Sequence, residues 1–344
     1  IAMGSQLDLQ TFKITDQTNG RLMGVRADIT PQVARIDSHR MAMPAGQPNR
    51  LCYMGSVLHT HSDVAGGSRS PIQIGAELFG HEGLESDYEV IRLMLETLSL
   101  AGAKDVLLDL GHVGVLRGLV AKIGLTESQQ ETYLDMLARK SLPEITHWLE
   151  QSDFDQSSRD LLNSLPNLHG DAGVLNTAKQ HLQTVGDDVL TALDYLQQLV
   201  SRVQQDFPDI AVNIDLAEMR GYAYHTGIVY SAYAAGSRRE VARGGRYDGI
   251  GEYFGNARPA TGFTSNLRTL AGFRGNVETV EAQGILAPAV DDAELQQVIN
   301  TLREQGEIVI RQLVPLTQLS AEAQDCNRIL EQQSGEWQVV AAGE

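Results

Sequence analysis

Gln73 and Glu77 stand four residues apart in Pro71-Ile-Gln-Ile-Gly-Ala-Glu-Leu-Phe-Gly80, a run that reads as a strand. The strand period of two puts both side chains on one face, with Gly75 between them leaving room for something to lie on the sheet. A carboxylate among apolar positions is costly unless it is satisfied. One solution is an internal salt bridge, for instance from Glu77 to Arg220. The other is a polar ligand, and two further patches suggest its chemistry: Arg26-Ala-Asp28-Ile-Thr30, and Arg220-Gly-Tyr-Ala-Tyr224-His225-Thr-Gly227 with Gly244-Gly-Arg246-Tyr247-Asp248. An α-amino acid presents an ammonium, which Asp28 with Thr30 and Gln73 can accept, and a carboxylate, which an arginine such as Arg220 can grip bidentately. Tyr224, His225 and Tyr247 then supply a flat wall with hydrogen-bonding tips, suited to an aromatic polar side chain.

Other chemistry-bearing residues read more plainly. His59 and His61 form a His-x-His pair without a clustered cysteine or third histidine, so no metal site is expected. Asp105 and Asp109 read as polar residues at a strand end. Cys52 and Cys326 lie far apart in a long chain, which is neither a disulfide framework nor a zinc pattern, and both read as ordinary buried thiols.

The elements that position these residues begin with a hairpin, Thr11 to Asp16 and Arg21 to Arg26, turned at Asn19-Gly20. Thr30 as N-cap and Pro31 at the first helical position open a short helix. Strands follow at Arg50 to Leu58 and Ile72 to Phe79, then a helix from Tyr88 to Leu100 and a strand from Asp105 to Leu110. Between His112 and Asp206 the pattern becomes helical, read as four or five helices broken at Pro143 and at Pro166 to Gly173. The last of these, Asp187 to Phe207, carries an apolar stripe at Val189, Leu190, Leu193, Leu196, Leu199, Val200 and Val203. Strands resume from Ile210, and beyond a polar break Ile285 to Pro288, a helix Asp291 to Gln305 and Ile308 to Arg311 suggest a βαβ-like module. The pattern is α+β, an antiparallel sheet with flanking helices: a core over 1–111 and 207–274, a helical insertion over 112–206 and a small α/β domain over 275–344.

The chain has 344 residues with 27 Lys+Arg against 44 Asp+Glu, a net charge of −17. That balance opposes a sequence-independent grip on a phosphate backbone or an anionic membrane surface. No apolar run approaches the roughly 20 residues a bilayer span requires, and the cysteine usage fits a reducing, cytoplasmic setting.

Five segments in order, Val25 to Pro31, Arg50 to Gly55, Pro71 to Gly80, Met219 to His225 and Ala242 to Gly249, resemble the catalytic domain of histidyl-tRNA synthetase. They resemble more closely its paralogue, the regulatory subunit of ATP phosphoribosyltransferase, over roughly Leu7 to Phe273. The resemblance implies a class II aminoacyl-tRNA synthetase-like fold and a histidine pocket. In it Asp28, Thr30 and Gln73 receive the ammonium and Glu77 the imidazole side. Arg220 matches the arginine of the histidine-specific motif, Tyr224 and His225 its tyrosine pair, and Tyr247 the tyrosine of the glycine-rich loop.

Departures from the synthetase pattern separate the two branches. Where a synthetase carries arginines and an acidic residue that grip ATP, this chain has Ser56-Val-Leu-His59-Thr-His61-Ser62, and Thr269 occupies the position of the last motif's arginine. Losing such an arginine is expected to cost ~10³-fold or more in a phosphoryl-type transition state. The tail is shorter than a synthetase's anticodon-binding domain and poor in cations, which argues against tRNA. The resemblance therefore implies a non-catalytic regulatory subunit without a cofactor. It would partner a short-form catalytic subunit, as a homodimer core within a hetero-octamer, and take histidine as effector in the first step of histidine biosynthesis. The alternatives are a synthetase that retains histidine activation and a histidine-sensing module for another partner. The family's first, dimer-forming motif is expected to precede Ile1.

Overall fold

The structure, a computed structural model, describes residues 5–41, 43–44, 46–62, 68–218, 221–222, 224–255, 257–274, 284–313 and 326–342. The chain divides into two compact units, residues 1–274 and 275–344.

The larger unit opens with helix α1 (Ser5–Gln10) and the hairpin β1 (Lys13–Thr15) and β2 (Leu22–Gly24). Helix α2 (Thr30–Arg40) follows with Pro31 in its first turn, where a missing N–H costs nothing. Its N-cap is Ile29, one residue before the expected Thr30, and no side chain caps it. The Thr30 hydroxyl is committed elsewhere, to Glu77. Strands β3 (Asn49–Ser56) and β4 (Ile72–Phe79), helix α3 (Leu84–Leu100) and strand β5 (Leu107–His112) complete the first half.

The segment that follows has six α-helices, more than the four or five expected: α4 (Val113–Ile123), α5 (Glu127–Ala138), α6 (Leu142–Glu150), α7 (Gln156–Ser164), α8 (Val174–Leu182) and α9 (Asp187–Asp206). Pro143 does not break a helix but sits in the first turn of α6. A two-residue strand β6 (His169–Gly170) lies between α7 and α8. In α9 the side chains of Val189, Leu193, Leu196, Leu199, Val200 and Val203 are buried, and Leu190 of the expected stripe is half-buried. Full burial of each such aliphatic side chain contributes about 1.5–3 kcal/mol, so the stripe is what holds α9 against the sheet.

Strands β7 (Ala211–Asp215), β8 (Ile228–Tyr233), β9 (Ala242–Arg246) and β10 (Ala260–Asn266) and helix α10 (Leu267–Gly272) close the unit. The main sheet runs β3-β4-β10-β9-β8-β5-β7-β6, antiparallel except where β5 meets β7. One face packs on α3, α4 and α9 through Leu78, Met94, Leu108, Ala232 and Phe263. The other face carries the polar residues described next.

In the smaller unit, β11 (Gly284–Ala287), α11 (Ala293–Glu304) and β12 (Val309–Arg311) form the expected βαβ module with β11 and β12 parallel. Asp292 caps α11 by accepting from the Glu294 and Leu295 amides at 2.7 and 3.1 Å. Beyond the expected module the unit adds a hairpin, β13 (Cys326–Gln333) and β14 (Glu336–Ala341). Its turn, Ser334-Gly335, has φ of 54° and 91°, the Ser-Gly signal of a tight hairpin.

Candidate functional site

Alternation along each strand and register across the sheet assemble the site. Gln73, Gly75 and Glu77 of β4 pair with Asn266, Thr264 and Gly262 of β10, so all six share one face. On β10's other side Gly262 pairs with Gly245 of β9. Glycine is required at both positions. A Cβ at Gly262 would overlap the Glu77 carboxylate, and one at Gly245 would stand 2.8 Å from the His225 ring. Glu77 and His225 therefore lie side by side on a glycine floor.

Glu77 is 3% exposed. Its Oε1 accepts from Thr30 Oγ1 at 3.0 Å and from Tyr53 OH at 3.2 Å, and its Oε2 accepts from the Tyr247 hydroxyl. Among the described residues no cation pairs with it, and burial pushes its carboxyl up to about 8. The alternative pairing of Glu77 with Arg220 falls on a residue outside those described. Burial also raises the Tyr53 and Tyr247 hydroxyls well above the ordinary tyrosine value, so both remain donors.

Tyr53 went unread in the sequence, and it fills the space over Gly75: a Cβ there would overlap the Tyr53 hydroxyl. The expected opening above Gly75 is thus closed by the protein's own ring. The cue was present in β3, where Leu51, Tyr53 and Gly55 alternate with exposed Arg50, Cys52 and Met54. The same alternation exposes Cys52, contrary to its expected burial, while Cys326 is buried; neither forms a disulfide.

Next to Glu77 the polar set continues. Gln73 Nε2 donates to Asp28 Oδ1 and to Thr264 Oγ1, each at 2.8 Å, and its Oε1 accepts from the Ile29 amide at 2.9 Å. Asp28 Oδ1 also accepts from the Thr30 amide at 3.0 Å. The bonds from Thr30 and Gln73 thus run to the two carboxylates, joining Asp28 and Glu77 into one network.

The third patch lies on the loop before β8. Tyr224 is 43% exposed and its ring lies 4.5 Å from that of His225, which is 6% exposed. Burial, with Arg117 and Arg243 nearby, pulls the His225 imidazole down to about 3, so it is neutral. Among the described residues its buried Nδ1 has no hydrogen-bond partner, so it is an atom that a ligand could meet. Arg220, the expected partner of a ligand carboxylate, lies outside the described residues. Arg117 of α4, not foreseen in the sequence, fixes the loop by donating to the carbonyls of His225 at 2.7 Å and Tyr222 at 2.9 Å. Thr226 and Asp248 exchange bonds at 2.8 and 3.0 Å on the other side.

Arg246 plays a supporting part. Its guanidinium meets buried Asp87 through two bonds of 3.0 Å and Asp248 at 3.0 Å, while Tyr195 of α9 donates to the same Asp87. This clamp holds β9, and hence Tyr247, against α3.

The segment expected to lack a phosphate grip is already occupied by internal bonds. His59 Nε2 donates to the Ala27 carbonyl at 2.9 Å, and exposed His61 meets Thr60 Oγ1 at 3.1 Å, so the two imidazoles do not converge. Asp109 accepts from Asn213 at 2.7 Å and lies beside Asp215, which pairs with Lys140 at 2.7 Å. A separate cavity of about 340 Å³ on the insertion, lined by Ser157, Asp160, Leu161 and His181, shares no residue with the site.

The family described as histidyl-tRNA synthetase matches residues 1–270, and that described as ATP phosphoribosyltransferase subunit HisZ C-terminal domain matches residues 282–340. The ATP phosphoribosyltransferase regulatory subunit of Thioalkalivibrio sulfidiphilus is 50% identical over 338 residues, covering 98% of this chain and 85% of that protein. Its namesake from Alkalilimnicola ehrlichii is 49% identical over 333 residues, covering 96% and 82%. A solved ATP phosphoribosyltransferase regulatory subunit/histidyl-tRNA synthetase from Bacillus halodurans aligns with a TM-score of 0.80 at 27% identity, over 94% of this chain and 83% of that one. A histidyl-tRNA synthetase from Nostoc shares the fold at a TM-score of 0.71 and 20% identity, over 96% and 84%. The class II synthetase-like fold expected from the sequence is thereby shown.

Proposed function

The chain belongs to the family of ATP phosphoribosyltransferase regulatory subunits, and from that premise we propose that it activates a short-form catalytic subunit and conveys the histidine level to it. The step regulated is the first of histidine biosynthesis. The observation that carries the effector reading is the pairing of buried Glu77, ringed by three hydroxyl donors, with the buried Nδ1 of His225, unpartnered among the described residues, on the same glycine floor. An imidazole is both a donor and an acceptor, and this pair offers one of each. Asp28 and Gln73 receive the ammonium, Tyr224 walls the site, and Arg220 and Tyr247 complete it.

The protein is non-catalytic on this reading. The segment from Ser56 to Ser62 is folded onto its own backbone, and Thr269 stands where a synthetase needs an arginine. Histidine binding favours an inactive arrangement of the assembly, a coupling of about 1–3 kcal/mol that is reciprocal with substrate binding. The assembly in question is a homodimer through the synthetase-type core within a cytoplasmic hetero-octamer, without tRNA. Helix α11, whose one cation is Arg303, supports the last point.

The test is reconstitution. Adding the chain to a short-form catalytic subunit should raise phosphoribosyl-ATP formation, and histidine should then suppress it. Histidine-dependent ATP–pyrophosphate exchange by the chain alone, without activation of that subunit, would instead establish a synthetase.

A further inference from the structure

Arg243 lies on the site face of β9, although the glycine-rich run around it has no hydrophobic alternation to reveal that. Its cross-strand partner is Thr264, whose hydroxyl accepts from Gln73 at 2.8 Å, and directly opposed residues share a face. Two residues along β9, Gly245 lies under His225, on the same side by the period of two. The intervening Ala242, Gly244 and Arg246 face the other way, toward Tyr230 and Asp87. Arg243 thus stands in the row Tyr53–Gly75–Thr264–Arg243, next to the row that holds Glu77 and His225.

Its guanidinium is more than half exposed and meets Glu240 at 3.6 Å, a long and solvent-screened ion pair. The Gln73 amide that bonds Thr264 also bonds Asp28, so Asp28 lies on the same side of the site. The charges of Asp28 and Arg243 both reach the Tyr224 hydroxyl, in opposite directions.

We infer that Arg243 binds the α-carboxylate of the amino-acid effector, beside the Asp28–Gln73 receptor for its ammonium. The inference rests on the histidine reading given above. An α-amino acid carries its ammonium and carboxylate on one carbon, so receptors of opposite charge belong side by side, and a guanidinium fork meets a carboxylate through two parallel bonds. Effector binding exchanges the single contact with Glu240 for that bidentate pair.

The test is calorimetric titration of the full chain and of Arg243→Ala and Arg243→Lys, with L-histidine and with histidinol, in which an alcohol replaces the carboxylate. Arg243→Ala should weaken histidine by about 10–100-fold, leave histidinol unchanged, and so lower the histidine-over-histidinol preference by tenfold or more. Arg243→Lys should restore part of that preference, because a point charge lacks the fork. Unchanged histidine affinity in Arg243→Ala, or equal weakening of both ligands, overturns the inference and leaves the histidine reading standing. Failure of the unaltered chain to bind histidine overturns both.

Discussion

Gly262 of β10 lies directly beneath the carboxylate of Glu77, its cross-strand partner on β4, so closely that a Cβ at position 262 would overlap Glu77 Oε2. Gly262→Ala should therefore push Glu77 off its three hydroxyl donors. The expected result is a loss of histidine binding of tenfold or more with a lowered Tm. Gly272→Ala, where no atom of the described residues lies within 4 Å of the added one, should leave binding unchanged. Calorimetry and thermal melts of the two variants check this, and equal behaviour would refute it.

The buried carboxyl also makes a pH prediction. Glu77 is raised to about 8 in the folded chain, so between the unfolded carboxyl value and pH 8 the native state holds the extra proton. Its contribution is complete at low pH and is lost as pH rises through 8. Relative to Glu77→Gln, the wild type should lose stability with a slope of up to about 1.4 kcal/mol per pH unit between pH 5 and 8. His112, held down to about 4 chiefly by burial, acts oppositely: its contribution is present above the unfolded histidine value and lost as pH falls toward 4. His112→Asn should flatten that acid limb. Urea unfolding at a series of pH values reads both.

Asp87 is fully buried against Arg246, so Asp87→Ala removes two charged bonds in the interior and leaves the guanidinium with the more exposed Asp248. The expected cost is about 3–5 kcal/mol in urea unfolding. Removing the exposed Glu96 partner of Arg92 should cost far less, because solvent screens that pair. Comparable losses in the two variants would refute the distinction.

Arg117 acts on the site through backbone carbonyls. Arg117→Ala should weaken histidine about tenfold by releasing the loop from Tyr222 to His225, while Arg117→Lys, which keeps a donor, should lose less. An unchanged dissociation constant in Arg117→Ala would show that the loop is held without it.

These relationships explain which parts of the site are legible in the sequence. Strand β4 is read with its full extent, and its period of two places Gln73 and Glu77 together. The hydroxyls around Glu77 are harder. Thr30 carries a local capping signal, yet its hydroxyl serves a carboxylate 47 residues away, a choice made by burial rather than by neighbours in sequence. Tyr53 reads as one more alternating strand residue until its ring is seen above Gly75. Arg243 is hidden for a different reason: a glycine-rich strand has no apolar face, so only pairing with β10 tells which way it points. The hairpin β13–β14 lies where polar residues interrupt the alternation, and only its Ser-Gly turn was a cue.

The order of strands in the main sheet also sets an order in time. Strands β4 and β10 are neighbours, yet Glu77 and Gly262 are separated by about 185 residues of chain. A ribosome adding 5–20 residues each second takes about 10–40 s to cover that distance. Helices α4 to α9, made in between, form their contacts from nearby sequence and can fold during the wait. Until β9 and β10 emerge, Glu77 has neither the Tyr247 hydroxyl nor the strand that buries it, and it remains an ordinary ionised side chain. The candidate site is therefore among the last parts of the larger unit to be completed during synthesis, and a nascent chain cut before Ala260 would carry the helices without it.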